Sequence, residues 1–138
     1  MASVLLIEDD LTFSRILEGF LGKNGYKTSI VNKGKDGLKS FQERSFDIVL
    51  LDYRLPDLTG MEVLTELKRL KPEVPVVIMT SFHDIRTAVK AIKSGALEYI
   101  TKPVNPEELL MIMKQAFQKD VSGEKTTAAV GTSDFVFG

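Results

Sequence analysis

FDIVLLDYRLPDLTG, residues 46–60, is the stretch on which the fold turns. Four consecutive apolar residues, Ile48, Val49, Leu50 and Leu51, describe a strand buried on both faces, because a half-exposed strand would alternate with polar residues. The strand ends in Asp52, and the turn-forming Leu55-Pro56-Asp57 follows at once. A carboxylate at the mouth of a hydrophobic strand is poorly solvated unless something compensates it. The rest of the chain has to supply that partner.

Similar short apolar runs recur as VLLI (4–7), TSIV (28–31), VVIM (76–79) and LEYI (97–100). Helical periodicity fills the intervals. Residues 11–22 place Phe13, Ile16, Leu17, Phe20 and Leu21 on one apolar stripe. A weaker second helix runs from Gly34 to about Glu43, and a third from Gly60 to about Leu70, stopped by Pro72. A fourth is expected over Asp84–Ser94, with Ile85, Ala88, Val89 and Ile92 inward and Gly95 closing it. The fifth starts at Pro106 and carries Leu109, Ile112, Met113, Ala116 and Phe117. Strand and helix alternating in this way predict an α/β fold, a (βα)5 doubly wound five-stranded parallel sheet.

Length and composition agree. The 138 residues suit one domain with a short tail, and 43% apolar with 27% charged residues is ordinary for a globular protein. No cysteine is present, which excludes disulfides, thiolate metal sites and thiol catalysis. A net charge of −1 gives no general attraction to nucleic acid or to an anionic membrane. The start MASVLLIEDD lacks the basic region of a secretory signal, and no apolar run approaches a membrane span, so a cytoplasmic location is expected. The domain is read as residues 1–120. Residues 121–138 turn to Ser, Gly, Thr and Ala and read as a linker ending in Phe135-Val136-Phe137-Gly138, either a free terminus or the threshold of a further domain.

In a parallel sheet all strands deliver their C-terminal residues to one edge, where ligands bind at the topological switch point. Strand one brings Glu8, Asp9 and Asp10 there, strand three Asp52, strand four Thr80 and Ser81, and strand five Thr101 and Lys102 before Pro103. Strand two brings only Asn32 and Lys33. The order 2-1-3-4-5 puts that plain strand outside and makes the four chemical ones contiguous. Each residue also has an ordinary reading: Asp10 as a helix cap, Asp9 and Glu8 as turn carboxylates, Thr80 as a turn residue, Lys102 as a solvated lysine. Their convergence is the specific signal.

Carboxylates a few ångströms apart repel by ~4 kcal/mol per pair at an effective dielectric near 20, more than one lysine offsets. A hard divalent cation is therefore expected, and oxygen ligands with retained waters suit Mg²⁺. Asp9 and Asp52 are the best direct ligands, Glu8 binds directly or through water, and the backbone carbonyl of Arg54 completes the candidate set. His83, the only histidine, reads as a helix-start residue. Carboxylate, metal, hydroxyl and lysine are the parts of a phosphoryl-transfer site in which Asp52 is the nucleophile, giving an aspartyl phosphate, and Thr80 and Lys102 hold phosphoryl oxygens.

The acidic pair in LLIEDD, the Asp52 of IVLLDYRLPDLTG, the Thr80-Ser81 of VVIMTSF and the Lys102-Pro103 of YITKPV together resemble the receiver domain of bacterial two-component response regulators, whose fold is flavodoxin-like. The resemblance implies phosphorylation of Asp52 by a sensor histidine kinase, Mg²⁺ held by Glu8, Asp9 and Asp52, a switch pair Thr80 and Tyr99, and a cis Lys102-Pro103 peptide. Glu8 stands where an aspartate is commoner. The linker and FVFG resemble activators of the NtrC type that use the alternative sigma factor sigma-N, in which an ATPase domain and a DNA-binding domain follow. The signal is expected to leave through helix 4, strand 5 and helix 5, a candidate homodimer face to which Leu110 and Met111 contribute, with no nucleic-acid or membrane contact by this domain. Arg54 and Phe82, each two residues beyond a site residue, are candidate lifetime-tuning positions, because attacking water passes them and neither is a good base.

Three other functions compete. A Mg²⁺-dependent phosphohydrolase with an aspartyl intermediate usually carries a second aspartate two positions after the nucleophile, where this chain has Arg54. A nucleotide or flavin binder would have Gly, Ser or Thr after strand one in place of Glu8-Asp9-Asp10. An inert interaction module would not keep Asp52, Thr80 and Lys102 together.

Overall fold

A computed structural model describes residues 2–81 and 84–122, with side chains as far as Gln118. The strands are β1 (Ala2–Ile7), β2 (Tyr26–Val31), β3 (Ile48–Asp52), β4 (Val76–Thr80) and β5 (Glu98–Thr101); the helices are α1 (Leu11–Lys23), α2 (Gly34–Glu43), α3 (Gly60–Leu70), α4 (Ile85–Lys93) and α5 (Pro106–Ser122). The strands form one parallel sheet in the order 2-1-3-4-5. All five residues of β3 and of β4 are buried, as continuous apolar runs in central parallel strands require.

Alternation within the strands builds two layers. Leu5 and Ile7, Val49 and Leu51, and Val76 and Ile78 share one face and pack with Phe41 of α2, Val63, Leu64 and Leu67 of α3 and Ala91 of α4. Val4, Leu6, Ile48, Leu50, Val77 and Met79 turn to the other face and are fully buried there, on the side of α1, whose Leu17 and Leu21 are buried as well. Burying a Leu-sized side chain contributes ~1.5–3 kcal/mol, so the two layers carry most of the favourable free energy.

Local chemistry sets the helix limits. Asp10 caps α1 by accepting from the Phe13 N–H at 3.0 Å. Thr59 and Glu62 form a reciprocal capping box at the start of α3. Asp84 caps α4, and Gly95, with φ +109°, turns the chain after it and donates its N–H to the Ile92 carbonyl. α5 opens on Pro106, which lacks an N–H that a first turn would leave unpaired. Its buried residues are Leu109, Met113 and Ala116.

Two stripes differ from expectation. Ile16 of α1 is 64% exposed and the small Ser14 is buried instead, because the covered face of the helix is narrower than its apolar stripe. In α4 the correction is larger. Ile85 is 82% exposed, Val89 46% and Ile92 45%, and only Ala91 is buried. Periodicity locates an apolar stripe but does not say that anything covers it. The linker reading falls on residues 121–138; α5 extends through Val121 and Ser122, and the remainder, FVFG included, lies outside the described residues. Among the described residues no helix is long and apolar enough to cross a membrane.

Candidate functional site

Register alone assembles the site. Ile7 pairs with Leu51, so the residues after them, Glu8 and Asp52, lie level at the sheet edge. Asp52 pairs with Met79, which sets Thr80 one step beyond, and Thr80 pairs with Thr101, which sets Lys102 one step further. Four strands thus deliver their polar ends within reach of one another, those of β1, β3 and β4 over a floor of buried aliphatic residues.

Glu8 is essentially buried. Its Oε1 accepts from the Lys102 ammonium at 2.8 Å and its Oε2 from the Asp10 N–H at 3.0 Å. Asp52 is only 6% exposed; its Oδ1 lies 3.8 Å from Lys102 Nζ and 3.5 Å from the Arg54 N–H. Burial, then the neighbouring Glu8 carboxylate, pushes the Asp52 carboxyl from its ordinary 3.8 up to about 7, and Lys102 opposes that rise. Glu8, Asp9 and Asp52 offer carboxylate oxygens that all lie within 4.8 Å of one another. Three carboxylates against one ammonium leave an excess of negative charge. The all-oxygen donor set, with Asp9 exposed at the open side, fits a hard divalent cation with room for waters.

Thr80 is buried at the end of β4, and its carbonyl accepts from the Lys102 N–H at 2.7 Å. Tyr99 pairs with Ile78, so Tyr99 and Thr80 share a sheet face and stand diagonally across the β4–β5 ladder. Tyr99 is half-buried against the core; burial, then the proximity of Tyr53 and Asp84, raises its phenol above the ordinary value. The Lys102-Pro103 peptide is cis. Asp10 takes the capping role and is not among the clustered carboxylates. Arg54 is exposed and forms an isolated bridge with Thr59, which closes the loop after Asp52. Phe82 and His83 lie outside the described residues.

Two site residues escaped sequence reasoning. Phe13, assigned to an apolar stripe, presents its ring to the Lys102 ammonium at 4.9 Å. Asp57, assigned to a turn, accepts from the Gly34 N–H at 2.8 Å and the Lys35 N–H at 2.9 Å, so it caps α2 in place of Lys33, which provides no side-chain cap. Desolvation raises the Asp57 carboxyl, but the Lys35 and Gly34 donors, together with the backbone N–H groups of Asp57 and Leu58, outweigh it and hold it below the ordinary value. Gly60 has a legible signal, its place after a turn: a Cβ there would lie 2.7 Å from Tyr53 Cα, so only glycine lets α3 start this close to the Asp52 strand.

Residues 4–114 match the response regulator receiver domain family. The transcriptional regulatory protein ZraR of Escherichia coli (strain K12) is 36% identical over 132 residues, 96% of this chain and 30% of that protein. The luminescence regulatory protein LuxO of Vibrio campbellii is 35% identical over 114 residues, 83% of this chain and 25% of that protein. The chain therefore spans less than a third of the length of either relative. Among solved structures, a response regulator receiver domain protein from Clostridium thermocellum superposes with a TM-score of 0.83 at 32% identity, covering 88% of this chain and 98% of that one.

Proposed function

The chain belongs to the response regulator receiver domain family, and on that premise we propose that Asp52 accepts a phosphoryl group from the phosphohistidine of a sensor histidine kinase. An Asp52 oxygen attacks phosphorus, the O–P bond forms, the N–P bond breaks, and the imidazole leaves. The observation that carries this reading is the burial of the Asp52 carboxylate beside Glu8, with Lys102 Nζ reaching both. That arrangement is costly for structure alone and suited to a dianionic adduct. Glu8, Asp9, Asp52 and the Arg54 carbonyl would hold Mg²⁺, which when bound neutralises charge on the transferred group. Lys102 holds one phosphoryl oxygen and the Thr80 hydroxyl another. Arg54 beside the open face, and Phe82, provide no base for an attacking water, which supports a long-lived phosphoryl group and disfavours a phosphohydrolase.

The response passes from Thr80 to Tyr99, which share a face of the sheet, and then to α4. There Val89 and Ile92 line, with Ala88, Lys93, Glu98 and Tyr99, a groove of about 460 Å³. Exposed Ile85, Val89 and Ile92 suit a partner or a second copy of the chain, and Met111 of α5 is exposed as well. We place the domain, residues 1–120, ahead of an output module joined through residues 121–138 in a cytoplasmic transcriptional activator of the sigma-N-dependent type, with no nucleic-acid contact of its own. The name of ZraR, a transcriptional regulatory protein, and that of LuxO, a luminescence regulatory protein, support a regulatory output.

Incubation with Mg²⁺ and acetyl phosphate tests the chemistry. We expect a gain of ~80 Da on Asp52, the mass of a phosphoryl group replacing a proton, lost in hydroxylamine and absent from Asp52→Asn. Labelling at another residue, or none, would refute the assignment.

A further inference from the structure

We propose that Phe13 is a positioning residue for the phosphoryl chemistry, its ring face holding the Lys102 ammonium at the Glu8–Asp52 end of the pocket. This rests on the reading of Asp52 as acceptor. Lysine is a compact charge on a flexible stem, and only its surroundings decide where the ammonium stands. The backbone of Lys102 is fixed by its N–H bond to the Thr80 carbonyl, but the side chain still has four carbons to place. Its Nζ lies 2.8 Å from Glu8 Oε1, 3.8 Å from Asp52 Oδ1 and 4.9 Å from the Phe13 ring centroid. The last distance is inside the ~6 Å over which an aromatic face attracts a cation.

These contacts close a circuit. Glu8 Oε2 accepts from the Asp10 N–H, Asp10 Oδ1 accepts from the Phe13 N–H, the Phe13 ring faces Lys102, and Lys102 returns to Glu8 Oε1. The carboxylate that attracts the ammonium therefore also fixes the helix turn that carries the ring. Glu8 engages one of three ammonium protons; the ring covers another side of the charge without fixing a hydrogen-bond direction. Lys102 can then swing from Glu8 toward a group on Asp52 without leaving the aromatic face. A leucine of similar bulk would shield the methylene stem equally but has no negative face to offer the charge.

The experiment compares Phe13→Leu with Phe13→Trp in the full chain by two readouts. The first, ¹⁵N relaxation of the Lys102 ammonium without any phosphodonor, should show Lys102 more mobile in Phe13→Leu and restored in Phe13→Trp. The second, the rate at which acetyl phosphate labels Asp52, should fall about three- to tenfold in Phe13→Leu, in line with a cation–ring attraction at a partly exposed site, and recover in Phe13→Trp. Unchanged Lys102 order in Phe13→Leu, or a tryptophan variant as impaired as the leucine one, would overturn the proposal. The relaxation readout needs no phosphoryl group, so it decides the role of Phe13 even where Asp52 takes no label, an outcome that counts against the acceptor reading alone. Should Phe13→Leu fail to fold, Phe13→Met poses the same comparison.

Discussion

α3 and α4 have similar lengths and follow adjacent strands, yet they are held very differently. α3 begins in a reciprocal capping box and buries Gly60, Val63, Leu64 and Leu67. α4 begins in a simple Asp84 cap and buries only Ala91, while three large aliphatic side chains face outward. The strands they follow, β3 and β4, are both wholly buried, but the edge strand β5, into which α4 leads, has none of its four residues buried. The acceptor carboxylate thus stands on the part of the sheet least able to move, and the outward-facing surface lies on the part with least to lose by moving. Local opening draws on segments with few buried apolar contacts.

The largest test of this difference is truncation. Leu64→Ala should lower unfolding free energy by roughly 2.5–5 kcal/mol, as buried leucines do, whereas Ile92→Ala should cost about 1 kcal/mol or less. Urea denaturation measures both, and similar losses would erase the contrast. Asp52→Asn comes next. With its folded-state carboxyl near 7 against 3.8 when unfolded, Asp52 contributes stability that is complete below about pH 4 and is lost as pH rises through 7. The metal-free wild type should therefore weaken by roughly 2–4 kcal/mol across that window. The mutant should show a flatter profile and a higher melting temperature at pH 7 in EDTA. Mg²⁺ should stabilise the wild type more than the mutant, because it binds the folded acidic cluster preferentially. Calorimetry across pH decides this, and a mutant melting at or below wild type would remove the strained pocket.

Severing the two regions gives a smaller effect. A Thr80 bond to a phosphoryl oxygen contributes ~1.5–3 kcal/mol, a ten- to 150-fold bias. Thr80→Ala should still be labelled on Asp52 but should not change self-association, which sedimentation velocity on the labelled sample reads. Association equal to that of labelled wild type would show that the route bypasses Thr80. The smallest concerns the caps. Thr59→Ala should cost about 1 kcal/mol and raise amide exchange in the first turn of α3, leaving α4 exchange unchanged because the two helices open separately.

The central strands were legible because a strand buried on both faces needs an unbroken apolar run, and IVLL and VVIM leave little else to read. Helices α2 and α3 were legible to the residue because Gly34, Gly60 and Pro72 punctuate them. The α4 stripe was misread because its hydrophobic period is equally good whether it faces the sheet or water; the covering element has no local signal. The polar edge was legible through strand ends, which parallel pairing forces to one side. Phe13 and Asp57 were not, because each acts on a residue distant in sequence, 89 positions away for Lys102 and 23 for Gly34, and periodicity registers only local neighbours.

The Asp57 cap has a consequence for how the chain is tied together. Its bonds to Gly34 and Lys35 span 23 and 22 positions and enclose α2, the following loop and the whole of β3. In a protein without cysteine this is a non-covalent clasp, and the entropy of closing so short a ring is modest. The enclosed segment is thereby a unit with both ends pinned to one carboxylate. A backbone break at Ser45, inside the ring, would leave both fragments anchored, whereas acid that protonates Asp57 would undo the clasp and free the start of α2 while the apolar layers still hold.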